Sequence, residues 1–135
     1  NDDFQLTIVG AEKNSSDKIN QKNINVYEIE NNKQNLIKYY DDHNIFILPS
    51  YTEGHPMVLL ESLARNRPVI IFKEIEHVIG DKKGIFVSKR DQISLVKLIN
   101  QIKTNYPKIL EGMYENKLPL KKEFINSLDE SISKS

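Results

Sequence analysis

The sequence predicts an α/β fold with a doubly wound, mainly parallel sheet and helices on both faces. Short runs with strand character alternate along the chain with segments of helical periodicity, the order expected of repeated βαβ units. Two of the strand runs, "IFIL" at 45–48 and "VIIF" at 69–72, are apolar at every position. Continuous apolar runs are typical of strands covered on both faces, as in parallel sheets.

Each element has a local signal in the sequence. The third helical segment, for example, begins with Asp91 as a candidate N-cap and repeats Ile93, Val96 and Ile99 at a spacing of three. After Pro107 the chain has helical character to its end. The predicted strands are 4–10, 24–29, 45–48, 68–72 and 84–88, and the predicted helices include 32–43, 56–65, 91–103 and 122–132.

The composition excludes several classes of protein. Lysine plus arginine equals aspartate plus glutamate, 19 each, so no net field favours nucleic acid or an anionic membrane. The absence of cysteine excludes disulfides and thiolate metal sites and fits a reducing compartment. No apolar run approaches the roughly 20 residues of a membrane span. We therefore expect a cytoplasmic protein without a membrane span or nucleic-acid partner, compatible with peripheral membrane association of a longer parent chain.

The stretch "PSYTEGHPMVLLESLARNRPVI", residues 49–70, is the most informative part of the chain. Its first two residues follow a buried strand, at the sheet edge where α/β proteins bind ligands. Gly54 permits a tight turn and the close approach of a ligand, and Pro56 suits the first position of a helix. The N-terminus of that helix offers free amides and the positive end of a dipole. These features predict a phosphate site.

Two glutamates flank this predicted anion site. Glu53 lies just before the helix, and Glu61 lies about 7 to 8 Å along the helix axis from Pro56, at 1.5 Å per residue. An ionised carboxylate only accepts hydrogen bonds, and its two oxygens can bind a vicinal diol. A nucleotide-sugar, with sugar hydroxyls, a diphosphate and ribose hydroxyls, has the matching form. The alternative is that both glutamates are ordinary solvated surface residues.

The stretch resembles the signature of the donor-binding half of retaining GT-B glycosyltransferases, the large "group 1", family 4-like class. The pattern of that class is roughly P-S-x-x-E-G-x-P-x-x-x-x-E-A-x-A-x-G-x-P-V-I. The resemblance extends more weakly over residues 4–102 and implies a Rossmann-like fold. Matching residues are Pro49, Ser50, Glu53, Gly54, Pro56, Glu61, Ala64, Pro68, Val69 and Ile70.

The resemblance implies roles for individual residues. Glu53 would be the catalytic residue that contacts the donor sugar, and Glu61 would hold the ribose hydroxyls. The parent enzyme would be hexosyltransferase-like, would need no metal or cofactor, and would serve polysaccharide or glycolipid assembly. Backbone amides around Gly54, His55, Pro56, Met57 and Val58 would face the phosphates and the sugar, with Pro56 itself contributing none.

The chain departs from the family pattern at three places. Asn66 replaces a glycine after the helix, at a position that suits a left-handed residue. Ile29 stands where a glycine often follows a strand, and the segment 73–80 replaces a glycine-rich loop, with Glu76 as a loose counterpart of a family glutamate. Among the remaining residues, Tyr40 is predicted to pack with a solvated hydroxyl, and Arg90 is predicted to lie on a solvated face.

The family's first strand–helix unit, which carries an arginine and a lysine that neutralise the diphosphate, is predicted to precede residue 4. In the strand order 3-2-1-4-5-6 its strand lies mid-sheet. Without it, the second and fourth strands are expected either to pair directly or to leave open edges, which favour pairing between chains. We therefore interpret the chain as part of a larger protein, with a partial nucleotide-sugar-binding domain at 1–105 and a helical extension at 106–135. An acceptor domain would precede it, and the chain alone would be inactive.

Two other functions fit the same pattern. A non-catalytic nucleotide-sugar-binding or regulatory module would retain the fold and bind nucleotide without transferring sugar. A nucleotide-sugar epimerase of the same architecture would break the sugar–phosphate bond without any acceptor.

Overall fold

The alternation of strands and helices predicted from the sequence is present in the computed structural model, which describes residues 4–11, 22–52 and 57–118. The α/β, Rossmann-like prediction is confirmed, while the helix predicted at 122–132 lies outside the described residues. The strands are β1 (Leu6–Val9), β2 (Ile24–Tyr27), β3 (Phe46–Ile47), β4 (Val69–Phe72) and β5 (Ile85–Ser88). The helices are α1 (Lys33–Asp41), α2 (Met57–Ala64), α3 (Gln92–Thr104) and α4 (Tyr106–Met113), with a 3₁₀ helix at Lys73–Val78.

The chain forms two compact units, residues 1–38 and 39–135. In the first unit, β1 pairs with β2 in parallel, with Leu6 opposite Ile24. The pairing continues beyond the strands, because the amide of Gly10 donates to the carbonyl of Tyr27 at 3.1 Å. Gly10 has a φ of 94°, a left-handed conformation that glycine adopts without strain.

In the second unit, three parallel strands lie in the order β3-β4-β5. Val69 of β4 is the partner of both Phe46 and Ile85, so β4 is the central strand. All four residues of β4 are buried, as the continuous apolar run predicts. Among the described residues β1 pairs only with β2, and β3 only with β4. Of the two expected alternatives, the structure therefore shows open strand edges, and pairing between chains stays a prediction.

The core of the second unit forms on β4. Leu59 and Leu63, one turn apart on α2, are each 1% exposed. The 3₁₀ helix contributes Ile75, which is fully buried, and α4 contributes Met113. The boundary predicted at residue 105 falls between α3 and α4 and stays a prediction. The buried cluster consists of Leu48, Leu59, Leu63, Val69, Ile71, Ile75 and Met113.

Two helix ends are formed by the residues that the sequence predicts. At the end of α2, Asn66 has a φ of 56°. The amide of Arg67 donates to the carbonyl of Ser62 and the amide of Asn66 to that of Leu63, which together make a Schellman motif. At the start of α3, the carboxylate of Asp91 accepts from the amide of Ser94 at 2.7 Å. Both local predictions are confirmed.

Candidate functional site

Arg90 joins the carboxyl ends of the three strands of the second unit. It lies two residues beyond β5, and its guanidinium donates to the carbonyls of Pro49 at 3.0 Å and Ser50 at 3.2 Å, in the segment that follows β3. Its Nε also donates to the carboxylate of Glu74, just beyond β4, at 3.2 Å. One side chain thus ties together the edge of the sheet at which α/β proteins bind ligands.

The same guanidinium lies over two aromatic rings. It is 3.8 Å from the ring centroid of Tyr51 and 4.2 Å from that of Phe72. These cation–π contacts hold the first residues of the stretch 49–70 near the end of β4. Arg90 is an exposed residue, in keeping with the prediction of a solvated face. Its contacts with Tyr51, Phe72 and Glu74 were not predicted, because these residues are distant from it in the sequence.

The first four residues of the predicted site lie outside the described residues. These are Glu53, Gly54, His55 and Pro56. Met57 and Val58 are the first two residues of α2, and both are half-buried. The side chain of Val58 packs against the core cluster, which holds the start of the helix against the sheet. The roles predicted for all six residues stay predictions.

Glu61 is a buried carboxylate one turn into α2. Glu61 is only 7% exposed, and it lies on the same helix as the core residues Leu59 and Leu63. The hydroxyl of Tyr40 donates to its Oε2 at 2.9 Å. A glutamate is almost never buried to this extent without a partner, because the charge loses its hydration. Glu61 is therefore not the solvated surface residue of the alternative interpretation.

Tyr40 was not identifiable from the sequence as part of this site. The prediction of a solvated hydroxyl is wrong, because that hydroxyl is bonded to Glu61. The two residues are separated by 21 positions. Only the tertiary packing of α1 residues near α2 brings them together, and the pair of tyrosines at 39–40 carries no signal of it.

The end of α1 that carries Tyr40 is held by two arginines that follow α2. Arg67 donates from Nε to the carbonyl of Tyr40 at 2.9 Å and from Nη2 to that of Asp41 at 3.0 Å. Arg65 binds the carboxylate of Asp41 through both oxygens, at 2.8 and 2.5 Å. Cations at a helix C-terminus also interact favourably with its dipole. These contacts fix the backbone from which the Tyr40 side chain extends.

The Tyr40 ring is also fixed. It packs edge-on against Phe46 of β3, with ring centroids 5.5 Å apart and an interplanar angle of 71°. Burial, followed by the charge of Glu61, raises the pKa of Tyr40, so its hydroxyl stays protonated and donates. Burial also raises the pKa of Glu61, and the hydrogen bond from Tyr40 lowers it in part. Raised carboxyl pKa values of this kind are frequent at functional sites.

Replacing Glu61 by glutamine tests this electrostatic environment. Because the folded-state pKa of Glu61 lies above its unfolded value, its contribution to stability is present below the unfolded pKa and is lost as pH rises through the folded pKa. Glutamine does not titrate and still accepts from Tyr40. We expect the free energy of unfolding of Glu61→Gln, minus that of the wild type, to increase in urea titrations as pH rises above the unfolded pKa of glutamate, about 4.3.

Glu74→Gln is the matched control. The pKa of Glu74 is lowered, chiefly by a backbone hydrogen bond and by Arg90, so its contribution is lost as pH falls through the folded pKa. The free energy of unfolding of Glu74→Gln, minus that of the wild type, is therefore expected to decrease as pH rises. If this difference changed with pH in the same way for both variants, the raised pKa that we assign to Glu61 would be contradicted.

Among residues 4–11, 22–52 and 57–118, no three His, Cys, Asp or Glu side chains are grouped so that they could hold a metal ion. In the same ranges, no helix is long and apolar enough to cross a membrane.

Comparison with known proteins identifies the family. The family model described as glycosyl transferases group 1 matches residues 1–117, which is most of the chain. No curated protein matches the sequence. The matched range includes Arg90 and the strand ends that it contacts. It also includes the buried Glu61, which lies in the stretch 49–70 on which the sequence resemblance depends. The chain belongs to the group 1 glycosyltransferase family.

Proposed function

We propose that this chain is the donor-binding part of an enzyme that transfers a sugar from a nucleotide-sugar to an acceptor hydroxyl with retention of configuration. The family match over residues 1–117 supports glycosyl transfer in general. The observation that carries the finer proposal is the buried Glu61, on the helix that follows the carboxyl end of β3. A buried carboxylate at a ligand-binding edge is suited to bind a diol.

In this proposal the site works by orientation and by stabilising charge. Glu61 accepts hydrogen bonds from the two ribose hydroxyls, and Glu53 orients the donor sugar. The amides at the start of α2 stabilise the negative charge that develops as the nucleoside diphosphate leaves, a type of interaction that often dominates catalysis. The bond between the sugar and the diphosphate breaks, the sugar forms a bond to the acceptor oxygen, and the proton of that hydroxyl passes to the departing diphosphate or to solvent. The proposed reaction needs no bound metal or cofactor. The parent enzyme acts in the cytoplasm, in polysaccharide or glycolipid assembly.

A non-catalytic binding module is the second candidate, and one observation favours it. The segment that replaces the family's glycine-rich loop forms a 3₁₀ helix whose Ile75 is buried in the core. A loop that is anchored in this way presents different groups to a donor sugar from a glycine-rich loop, whose amides a ligand can approach closely. Such a module would bind nucleotide and transfer no sugar.

The experiment uses the full-length protein. Calorimetric titration with UDP, GDP and ADP identifies the base, and the corresponding nucleotide-sugars are then incubated with candidate acceptors. Transfer with retention, read from the anomeric configuration of the product by NMR, supports the enzyme. Binding without transfer favours the module, and no binding of any nucleotide contradicts both. The 135 residues alone are expected to transfer nothing, because the acceptor would be held by another domain.

A further inference from the structure

We propose that Tyr40 is a positioning residue that holds the Glu61 carboxylate in the orientation needed to bind ribose hydroxyls. This inference rests on the proposed function, in which Glu61 is the residue that binds the ribose. It adds a residue from α1, outside the stretch 49–70 that carries the family signature. Tyr40 acts through Glu61 and is not proposed to touch the ligand.

The geometry gives Tyr40 this role. Its hydroxyl donates to Oε2 of Glu61 at 2.9 Å. A glutamate side chain has several rotamers, and a hydrogen bond from a fixed donor selects one of them. Each carboxylate oxygen has two acceptor positions, so an oxygen bound to one hydroxyl retains capacity for another. The carboxylate is thus oriented and still able to accept hydrogen bonds from a ligand.

Tyr40 is suited to orient Glu61 because it is itself fixed at two other points. The Arg67 guanidinium donates to its carbonyl, and the Phe46 ring packs against its own ring. A donor held by packing and by further hydrogen bonds loses little freedom when the ligand binds. Preorganisation of this kind raises affinity by removing a cost of binding.

A purely structural role is the competing explanation. In that case the Tyr40 hydroxyl only satisfies a buried carboxylate, and its loss lowers stability without changing recognition of the ribose. The two explanations differ in one measurable quantity, the ratio of the Kd for a 2′,3′-dideoxy nucleotide to the Kd for the ribonucleotide. A positioning residue changes this ratio, whereas a structural residue does not.

The experiment measures this ratio in the full-length protein by calorimetry. The probe is whichever of UDP, GDP and ADP binds most tightly, together with its 2′,3′-dideoxy analogue. We expect Tyr40→Phe to lower the ratio about three- to tenfold by weakening ribonucleotide binding, with the Kd of the dideoxy analogue unchanged within error. Tyr106→Phe is the matched control, because it loses a hydroxyl hydrogen bond of 2.8 Å to the carbonyl of Asn44. It is expected to leave the ratio unchanged.

The outcomes separate the inference from the proposed function. A wild-type ratio of one, or no binding of any of the three nucleotides, overturns both. A wild-type preference for ribose that Tyr40→Phe retains in full overturns only the role of Tyr40. Thermal unfolding checks that each variant folds. If Tyr40→Phe does not fold, Phe46→Leu removes the ring that supports Tyr40. A lowered ratio then supports the inference, and an unchanged ratio overturns it.

Discussion

Replacing Glu61 by alanine is expected to weaken nucleotide binding about 10- to 100-fold, whereas replacing Glu53 by alanine is expected to lower the rate of transfer about 100-fold with little change in nucleotide affinity. The two carboxylates differ because one is proposed to bind the ribose and the other the sugar that reacts. Hydrogen bonds to a charged group contribute about 1.5 to 3 kcal/mol, which is about 10- to 150-fold in Kd.

The effect at Glu61 is expected in the ground state and the transition state alike, because the ribose stays bound throughout the reaction. Such a loss raises KM and leaves kcat nearly unchanged. The effect at Glu53 is expected mainly in kcat, because its contacts with the sugar change as the bond to the diphosphate breaks. Calorimetry with the nucleoside diphosphate and steady-state kinetics with the nucleotide-sugar measure the two quantities separately.

Glu111→Ala provides a control on an exposed carboxylate of α4, with no expected change in either quantity. If Glu53→Ala lost nucleotide affinity and Glu61→Ala retained it, the roles assigned to the two glutamates would be reversed. Unchanged kinetics in both variants would contradict a donor site at this helix.

Replacing Gly84 by alanine is expected to lower the free energy of unfolding by about 2 to 5 kcal/mol, through strain in the backbone and overpacking of the core. Gly84 has a φ of 92°, which a residue with a side chain rarely adopts. A Cβ at this position would lie 2.6 Å from Sδ and 2.7 Å from Cγ of Met113, which is 3% exposed. Met113 has little free space into which to move.

The surroundings of Gly84 also resist a shift of the backbone. Its carbonyl accepts from the amide of Val69 at 2.8 Å, where β5 joins β4. The preceding residue, Lys83, exchanges two hydrogen bonds with the side chain of Asn116, each 2.7 Å long. Movement of Gly84 away from Met113 would break these contacts. Alanine is therefore expected to lower the free energy of unfolding by more than backbone strain or overpacking would alone.

Gly80→Ala separates the two causes in the same urea titrations. Gly80 has a φ of 56°, but its Cβ would meet only Nζ of Lys82, at 3.6 Å. This variant is expected to lose only the backbone component, about 1 kcal/mol. Equal losses at Gly80 and Gly84 would show that contact with Met113 contributes nothing.

The sequence was informative where a structure depends on adjacent residues. The run "VIIF" predicts a strand covered on both faces because burial of β4 requires apolar residues at each position. Asn66 and Asp91 predict helix ends because each acts on backbone groups within a few residues of itself. Among the described residues the strands form two sheets, β1-β2 and β3-β4-β5, and the sequence alone did not decide between this arrangement and direct pairing.

What the sequence did not reveal depends on distant residues. Tyr40 meets Glu61 across 21 positions, and Arg90 meets Ser50 across 40. Polar side chains of both kinds are often solvated, and only the packing of the second unit gives these two their partners. The 3₁₀ helix at Lys73–Val78 was likewise not predicted, because Ile75 is drawn into the core by its neighbours and not by any local periodicity.

The environment of Arg90 restricts how this position can vary among related enzymes. A lysine there would preserve the positive charge, but its single ammonium cannot lie flat on two rings while donating to two separate carbonyls and a carboxylate. Substitution of arginine by lysine is normally regarded as conservative. At this position it would remove the contacts that hold the start of the stretch 49–70 at the ends of the strands. Homologues that lack arginine at this position are expected to carry compensating changes at the positions of Tyr51 or Glu74.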